Sequence, residues 1–176
     1  SKKKGSEIVI TFIGTLESWV NFESLFDAIK ELNDRGGKKI VLRIVGDGLK
    51  LKEVKDSCNK KGLSQFVVFT GWVPYAELRN QLEDSDFCVL PFDDSLISSH
   101  SMPMKIHEYA ISKKPIISSP LPEICKIYGS AITYATTKDE YVHAIELLLY
   151  DKESRLKHAE KAYNIAKNYS WTELSK

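Results

Sequence analysis

The fold of this chain is indicated most clearly by residues 87–110, FCVLPFDDSLISSHSMPMKIHEYA. Phe87–Leu90 is short and continuously apolar, which is typical of a strand that is buried on both faces of a parallel sheet. The loop Phe92–Ser101 follows, and a helix is then predicted to begin at Met102–Lys105, with serine just before it and proline in its first turn. A strand, a loop and a helix in this order predict one unit of an α/β domain.

Two charged side chains lie on one face of this predicted helix. Lys105 and Glu108 are three residues apart, so they are neighbours on the helix surface. The first turn of a helix also has free backbone N–H groups and the positive end of the helix dipole, and both favour a phosphate. A cation for a diphosphate beside a carboxylate for ribose hydroxyls indicates a nucleotide site. The alternative is that both are ordinary surface side chains, with Glu108 paired to a lysine.

The same alternation of apolar runs and amphipathic segments covers almost the whole chain. Strands are predicted at Ile8–Ile13, Ile40–Val45, Phe66–Thr70, Phe87–Leu90, Pro115–Ser118 and Ala131–Tyr134. Further helices are predicted near Phe22–Asn33, Leu49–Lys61, Tyr75–Glu83, Lys138–Leu149 and Lys152–Asn168. The predicted fold class is therefore α/β, a Rossmann-like doubly wound parallel sheet of about six strands with helices on both faces.

Ligands of such sheets bind beyond the carboxyl ends of the strands. Those ends carry Gly14-Thr15, Gly46-Asp47-Gly48, Gly71-Trp72, the long loop that ends at Ser101, and Ser118-Ser119-Pro120. Each glycine alone is better explained by a tight turn that needs a positive φ. Three of them beside a long loop predict a ligand-binding edge, where the Asp, Ser and His of the loop either face a bound sugar or belong to a plain loop.

Composition limits the possible partners and locations. The 176 residues are 43% hydrophobic and 28% charged, with a formal net charge of +1, so a charge-balanced single domain with no nucleic-acid partner is predicted. The three cysteines include no C-x-x-C pair, which favours a reducing, cytoplasmic compartment. No apolar run approaches the length of a membrane span. Residues 1–7, with Lys2-Lys3-Lys4, are interpreted as a linker or tag remnant.

Several short motifs suggest other chemistry and are set aside. Gly46-Asp47-Gly48 lacks the third glycine of a dinucleotide fingerprint, because position 51 is leucine. His107-Glu108 lacks the second histidine of a zinc-protease motif, and the four histidines lack metal-ligand spacing, so no metal site is predicted. Asp84-Ser85-Asp86 precedes a strand at its amino end and is interpreted as a turn and cap.

An ordered set of motifs resembles the C-terminal half of group 1 (family 4) glycosyltransferases. The motifs are Phe12-Ile13-Gly14, Leu42–Gly48, Val68–Val73, Asp86–Pro91, Pro103–Ala110, Lys114–Ile117 and the final Tyr169-Ser170-Trp171. The resemblance implies a GT-B architecture, in which two Rossmann-like domains face each other and the C-terminal one binds the nucleotide sugar. It also implies transfer of a sugar from a nucleoside-diphosphate sugar with retention of configuration, without a metal or another cofactor.

The resemblance also assigns roles to residues. His100 and Glu108 are the expected catalytic residues, and Glu108 is also expected to hydrogen-bond the ribose. The expected donor-binding residues are Gly14, Thr15, Gly46, Gly71, Trp72, Val73, Ser101, Pro103, Met104, Lys105 and Glu108. Among these, the turn at Gly14 and the helix start face the phosphates, and Gly71-Trp72-Val73 lies against the base.

Two positions depart from the family pattern. His100 stands where a first carboxylate often reaches the donor sugar, and Thr15 stands where a basic residue often follows the glycine. Lys105 then takes over the positive charge that a diphosphate needs, or else the donor site is weakened or lost.

A two-domain enzyme needs about twice this length, so residues 8–176 are predicted to be one donor-binding domain whose acceptor-binding N-terminal half is absent. That half is expected to bind a glycan or lipid-linked acceptor, and only the full-length protein is expected to contact a membrane peripherally. The isolated domain is expected to be inactive. The alternatives are a GT-B sugar-nucleotide epimerase, a receiver-like or flavodoxin-like module, and a non-catalytic protein-binding domain.

Overall fold

The structure is a computed structural model that describes residues 7–93 and 103–174. Its strands are β1 (Glu7–Ile13), β2 (Lys39–Val45), β3 (Val67–Gly71), β4 (Phe87–Leu90), β5 (Ile116–Ser118) and β6 (Thr133–Tyr134). Its helices are α1 (Glu23–Asp34), α2 (Leu51–Lys60), α3 (Tyr75–Glu83), α4 (Lys105–Ile111), α5 (Pro122–Tyr128), α6 (Lys138–Tyr150) and α7 (Lys152–Leu174). A 3₁₀ turn at Gly129–Ala131 precedes β6.

All six strands are parallel and follow the order β3-β2-β1-β4-β5-β6. This confirms the predicted fold class. The order reverses between β1 and β4, because the chain builds outward from β1 to β3 and then returns to the other side of β1. Doubly wound sheets open a crevice at the carboxyl ends of the two strands where the order reverses.

The sheet separates two apolar layers. On one face, alternate β1 residues such as Ile10 and Phe12 pack with the apolar sides of α1, α2 and α6. On the other face, Ile13 and Val45 pack with residues of α3, α4, α5 and α7. Cys58 and Cys88 are buried in these layers, and burial raises the pKa of both thiols.

The structure adds one helix to those predicted and shifts some boundaries. The helix Pro122–Tyr128 was not predicted, because seven residues are too few to show a helical period. Its sequence nevertheless carries proline at the first helical position and glycine just after the last, which are helix start and stop signals. The described part of α4 begins at Lys105 rather than at Met102, and α7 extends beyond the predicted Asn168.

The described residues include no helix that is both long and apolar enough to span a membrane.

Candidate functional site

A cavity of about 280 Å3 opens at the carboxyl ends of β1, β2 and β3, on the sheet face that carries α3 and α4. Its walls come from the ends of β1 and β2, from the turns that follow all three strands, from α3 and from the start of α4. The lining residues are Ile13, Gly14, Thr15, Val45, Gly46, Asp47, Trp72, Val73, Leu78 and Lys105. Six of them belong to the predicted donor-binding set: Gly14, Thr15, Gly46, Trp72, Val73 and Lys105.

The floor of the cavity is formed by turns that pack backbone against backbone. Gly14 N–H donates to Val45 O at 3.0 Å, and Gly46 N–H donates to Gly71 O at 2.9 Å, so the turns after β1, β2 and β3 are bonded in series. A Cβ atom on Gly46 would stand 1.9 Å from the carbonyl oxygen of Gly14, and the φ of Gly46 is +143°. The glycine at position 46 is therefore required by the contact between turns.

Gly71 is required by its backbone conformation and not, like Gly46, by a close contact. Its φ is +72°, a conformation that favours glycine, and its carbonyl accepts the Gly46 N–H. The structure thus explains Gly71 by the chain reversal after β3. The reversal carries Trp72 and Val73 to the cavity wall.

Lys105 and Glu108 form an ion pair at the rim of this cavity. The Lys105 Nζ lies 2.9 Å and 3.0 Å from the two carboxylate oxygens of Glu108. Their side chains are 29% and 30% exposed, whereas those of the pair Lys113 and Glu160, on the same helical layer, are 53% and 57% exposed. The pair at the rim is therefore partly withdrawn from water, where charges interact more strongly.

Exposed apolar side chains surround the same rim. Trp72 is 73% exposed, Tyr75 is 75% exposed and Met104 is 66% exposed. The Tyr75 ring centroid lies 5.8 Å from the Lys105 Nζ, within cation–π range. Large apolar side chains that share one edge with a cavity indicate a surface that another molecule covers.

Tyr109 attaches α4 to the end of β1. The Ile13 N–H donates to the Tyr109 hydroxyl at 2.8 Å, and the hydroxyl donates to the Ile13 carbonyl at 3.3 Å. Tyr109 is fully buried, and burial raises its pKa well above its ordinary value, so the hydroxyl keeps its proton. This contact spans 96 residues of sequence, and no local motif predicted it.

The loop after β1 crosses over the end of β4. Val20 and Phe92 form an isolated antiparallel bridge, supported by an Asn21 N–H bond to Pro91 O and an Asp93 N–H bond to Trp19 O, both at 2.8 Å. This crossing fixes where the loop after β4 leaves the sheet. His100 and Ser101, two predicted site residues of that loop, lie outside the described residues.

Three other predicted site residues, Pro103, Met104 and Glu108, flank Lys105 but are not among the residues that line the cavity. Pro103 and Met104 immediately precede Lys105, and the Met104 carbonyl accepts the His107 N–H at 3.1 Å. Glu108 is brought to the rim by its contact with Lys105. Neither Leu78 nor Tyr75 was predicted to be a site residue. Both lie in the predicted helix Tyr75–Glu83, which follows the segment that is expected to contact the base.

Larger cavities at the amino ends of the strands lack this arrangement. Two of them, about 480 and 680 Å3, lie beside Lys113 and Lys114. The predicted turn Asp84-Ser85-Asp86 also lies at this amino edge, where the Asp86 carboxylate accepts the Val9 N–H at 2.8 Å and Ser85 bonds Thr11. Cavity size alone therefore does not identify the site.

Among the described residues, no cluster of three or more His, Cys, Asp or Glu side chains is arranged to hold a metal ion.

Comparison with protein families gives one match along most of the chain. The family model described as glycosyl transferases, group 1, matches residues 1–165. A comparison with curated protein sequences gives no match.

Solved structures share the fold at low sequence identity. The chain superposes on Alr3699/HepE from Anabaena, in complex with UDP and glucose, with a TM-score of 0.74 and 17% identity, over 97% of this chain and 49% of that protein. For the catalytic domain of cholesterol-α-glucosyltransferase from Helicobacter pylori the TM-score is 0.73 and the identity 18%, over 92% and 98% of the two chains. For the C-terminal domain of LpcC, a group 1 family protein from Francisella tularensis, the values are 0.71 and 16%, over 93% and 86%. The chain thus spans about half the length of HepE.

Proposed function

The chain belongs to the group 1 glycosyl transferases, and on that premise we propose that it binds the nucleoside-diphosphate sugar from which a sugar is transferred to an acceptor. The observation that carries the proposal is the cavity at the carboxyl edge of the sheet, with the Lys105–Glu108 pair at its rim. Apolar walls, backbone turns and one charged pair meet there, as expected of a site that holds a base, a diphosphate and a ribose.

In this proposal, each part of the ligand has its own contacts. The base lies against Trp72, Val73 and Leu78, which offer apolar surface and an aromatic ring. The diphosphate lies between the Gly14-Thr15 turn and Lys105. The ribose hydroxyls donate to Glu108, which makes charge-assisted hydrogen bonds.

The ion pair between Lys105 and Glu108 is compatible with both roles. An ammonium group has three donors and a carboxylate has about four acceptor positions. The observed contact occupies two donors and two acceptor positions. A third donor of Lys105 is then available for a phosphate oxygen, and Glu108 keeps acceptor positions for two hydroxyls.

The finer parts of the proposal concern the reaction. We propose that transfer retains configuration, that Lys105 rather than a metal balances the diphosphate charge, and that His100 reaches the donor sugar while Ser101 binds the phosphates. The acceptor is a glycan or lipid-linked molecule bound by another domain. UDP is the first ligand to test, because HepE was solved with UDP and with UDP-glucose.

The test is isothermal titration with UDP in the presence of EDTA. Wild type is expected to bind, and Glu108→Gln is expected to lose about tenfold in affinity, since a hydrogen bond to a charged group contributes about 1.5–3 kcal/mol. The matched control is Glu160→Gln, which removes the carboxylate of the ion pair with Lys113 on the same helical layer. It is expected to bind UDP like wild type. Equal affinity of Glu108→Gln and Glu160→Gln would remove the ribose assignment.

A second pair of variants separates the phosphate contact from the base contact. Lys105 contacts a carboxylate and lies 5.8 Å from a tyrosine ring, and Lys113 also contacts a carboxylate and lies 4.4 Å from a tyrosine ring. Lys105→Gln is expected to weaken UDP binding about tenfold while leaving uridine binding unchanged, because only UDP carries the diphosphate. Lys113→Gln is expected to change neither. Failure of wild type to bind UDP, GDP or ADP at millimolar concentration would contradict the proposed function itself.

A further inference from the structure

We propose that Tyr109 is a positioning residue of this donor site, because its hydroxyl fixes the phosphate-facing turn after β1 to the helix that carries Lys105 and Glu108. The inference rests on the proposed function and adds to it a residue that does not contact the ligand. The relevant observation is a side-chain hydroxyl that occupies a position normally filled by a neighbouring strand.

The hydroxyl lies where β1 has lost its partner strand. The pairing of β1 with β4 ends at Thr11 and Cys88. Two residues later, the N–H and the carbonyl of Ile13 still point toward β4, and both are bonded to the Tyr109 hydroxyl. One hydroxyl thus replaces the missing ladder and closes the end of β1 immediately before Gly14.

Tyr109 is also rigidly connected to the two charged residues. It follows Glu108 directly and lies one helical turn after Lys105, so all three belong to the same short helix. Its neighbours Ile106 and Ala110 are fully buried in the apolar layer beneath the helix. A shift of the Tyr109 hydroxyl relative to Ile13 therefore moves the Lys105 and Glu108 backbone relative to the Gly14 turn.

This arrangement matters for a ligand that bridges the two elements. A diphosphate held by the Gly14-Thr15 turn and by Lys105 fits only when the two lie at one fixed separation. Binding groups that are misplaced by a fraction of an ångström lose much of their effect. A phenylalanine fills the same apolar space without bonding Ile13, so the hydroxyl itself is the group under test.

The test compares two buried tyrosines. Tyr109→Phe is expected to lower UDP affinity at least fivefold. Tyr141→Phe is the matched control, because Tyr141 is almost as buried, packs in the apolar layer on the other face of the sheet from α4, and has its hydroxyl bonded to Ser119. It is expected to lower the melting temperature to a similar extent and to leave UDP affinity within twofold of wild type. Equal affinities of the two variants would overturn the proposal.

A double-mutant cycle separates positioning from a general loss of stability. If Tyr109 acts through the charged pair, the loss caused by Tyr109→Phe is expected to shrink at least threefold in a Glu108→Gln background, because the residue that it positions is already disabled. If the fold-loss of UDP affinity in the double variant equals the product of the two single losses, Tyr109 acts independently of Glu108 and the proposal is overturned.

Amide hydrogen exchange distinguishes failure of this inference from failure of the proposed function. Without any ligand, Tyr109→Phe is expected to speed exchange at Gly14 and Leu16, whose N–H groups bond Val45 and Asp47, beyond the change caused by Tyr141→Phe. If wild type binds no nucleotide, the proposed function fails and exchange alone decides whether Tyr109 holds the turn. Unchanged exchange at Gly14 and Leu16 would overturn the inference in either case.

Discussion

The seam between β1 and β4 is closed in different ways at its two ends. At the amino end the Asp86 N–H donates to Val9 O and the Asp86 carboxylate accepts the Val9 N–H, both at 2.8 Å, so a residue next to β4 completes the ladder. At the carboxyl end the strands separate after Thr11 and Cys88, and Ile13 is bonded instead by Tyr109 from α4. The same two strands are thus joined by a turn at one end and by a helix at the other.

This difference determines which charged side chains reach each end of the seam. At the amino end the turn residue Asp86 completes the ladder in place, beside the cavity of about 480 Å3. At the carboxyl end the helix that replaces the strand also brings Lys105 and Glu108 to the edge of the cavity. The reversal of strand order separates the two strands at this end. Tyr109 then fixes the position of α4 relative to the end of β1.

The largest effect is expected from crowding the turns at the carboxyl end. Gly46→Ala places a Cβ atom 1.9 Å from the Gly14 carbonyl oxygen and forces a φ of +143° on an L residue. Strain and overlap each cost about 1–3 kcal/mol, so the free energy of unfolding is expected to fall by about 3 kcal/mol or more in urea denaturation.

Gly62→Ala is the matched control for this crowding. Gly62 has a φ of +73° and no atom within 4 Å of an added Cβ, so only backbone strain of about 1–2 kcal/mol applies. If both variants lose the same free energy of unfolding, the overlap with Gly14 adds nothing, and the claim that closely packed turns require glycine at position 46 is wrong.

A smaller effect, confined to the opposite end of the seam, is expected for Asp86→Ala. Removing the carboxylate takes away an acceptor of the buried Val9 N–H, which costs about 1–3 kcal/mol of unfolding free energy. UDP affinity is expected to stay within twofold, in contrast to Tyr109→Phe. Asp86→Asn keeps an oxygen acceptor and is expected to lose less than about 1 kcal/mol. A loss of UDP affinity in Asp86→Ala would mean that the two ends are not independent.

Sequence reasoning predicted what depends on local pattern. The six strands, their parallel arrangement and the family followed from apolar runs and ordered motifs, and six predicted residues line one cavity. The contacts of Ile13 with Tyr109 and of Val9 with Asp86 join residues far apart in the chain, so a single sequence contains no signal for them. The same limit applies to Gly46, whose partner Gly14 is identified only by how the turns stack.

The smallest effect is expected from acid acting on His158, away from the carboxyl edge. His158 lies on α7 with its Nδ1 3.5 Å from the hydroxyl of Thr133, the first residue of β6. Burial, followed by the charges of Lys161 and Lys157, lowers its pKa below the ordinary 6.5. The folded protein therefore binds fewer protons than the unfolded chain just below pH 6.5, so the contribution of neutral His158 is complete above that pH and is lost as pH falls through the lowered pKa.

Thermal melts at pH 7.5 and pH 5.5 test this assignment. Acid is expected to lower the melting temperature of wild type more than that of His158→Gln, which has no imidazole to protonate. The difference is expected to be modest because the ring is only partly buried. His143→Gln serves as the control, since His143 lies on the exposed side of α6, and it is expected to keep the acid sensitivity of wild type. If His158→Gln is as sensitive to acid as wild type, other groups cause the loss of stability and the assignment to His158 is wrong.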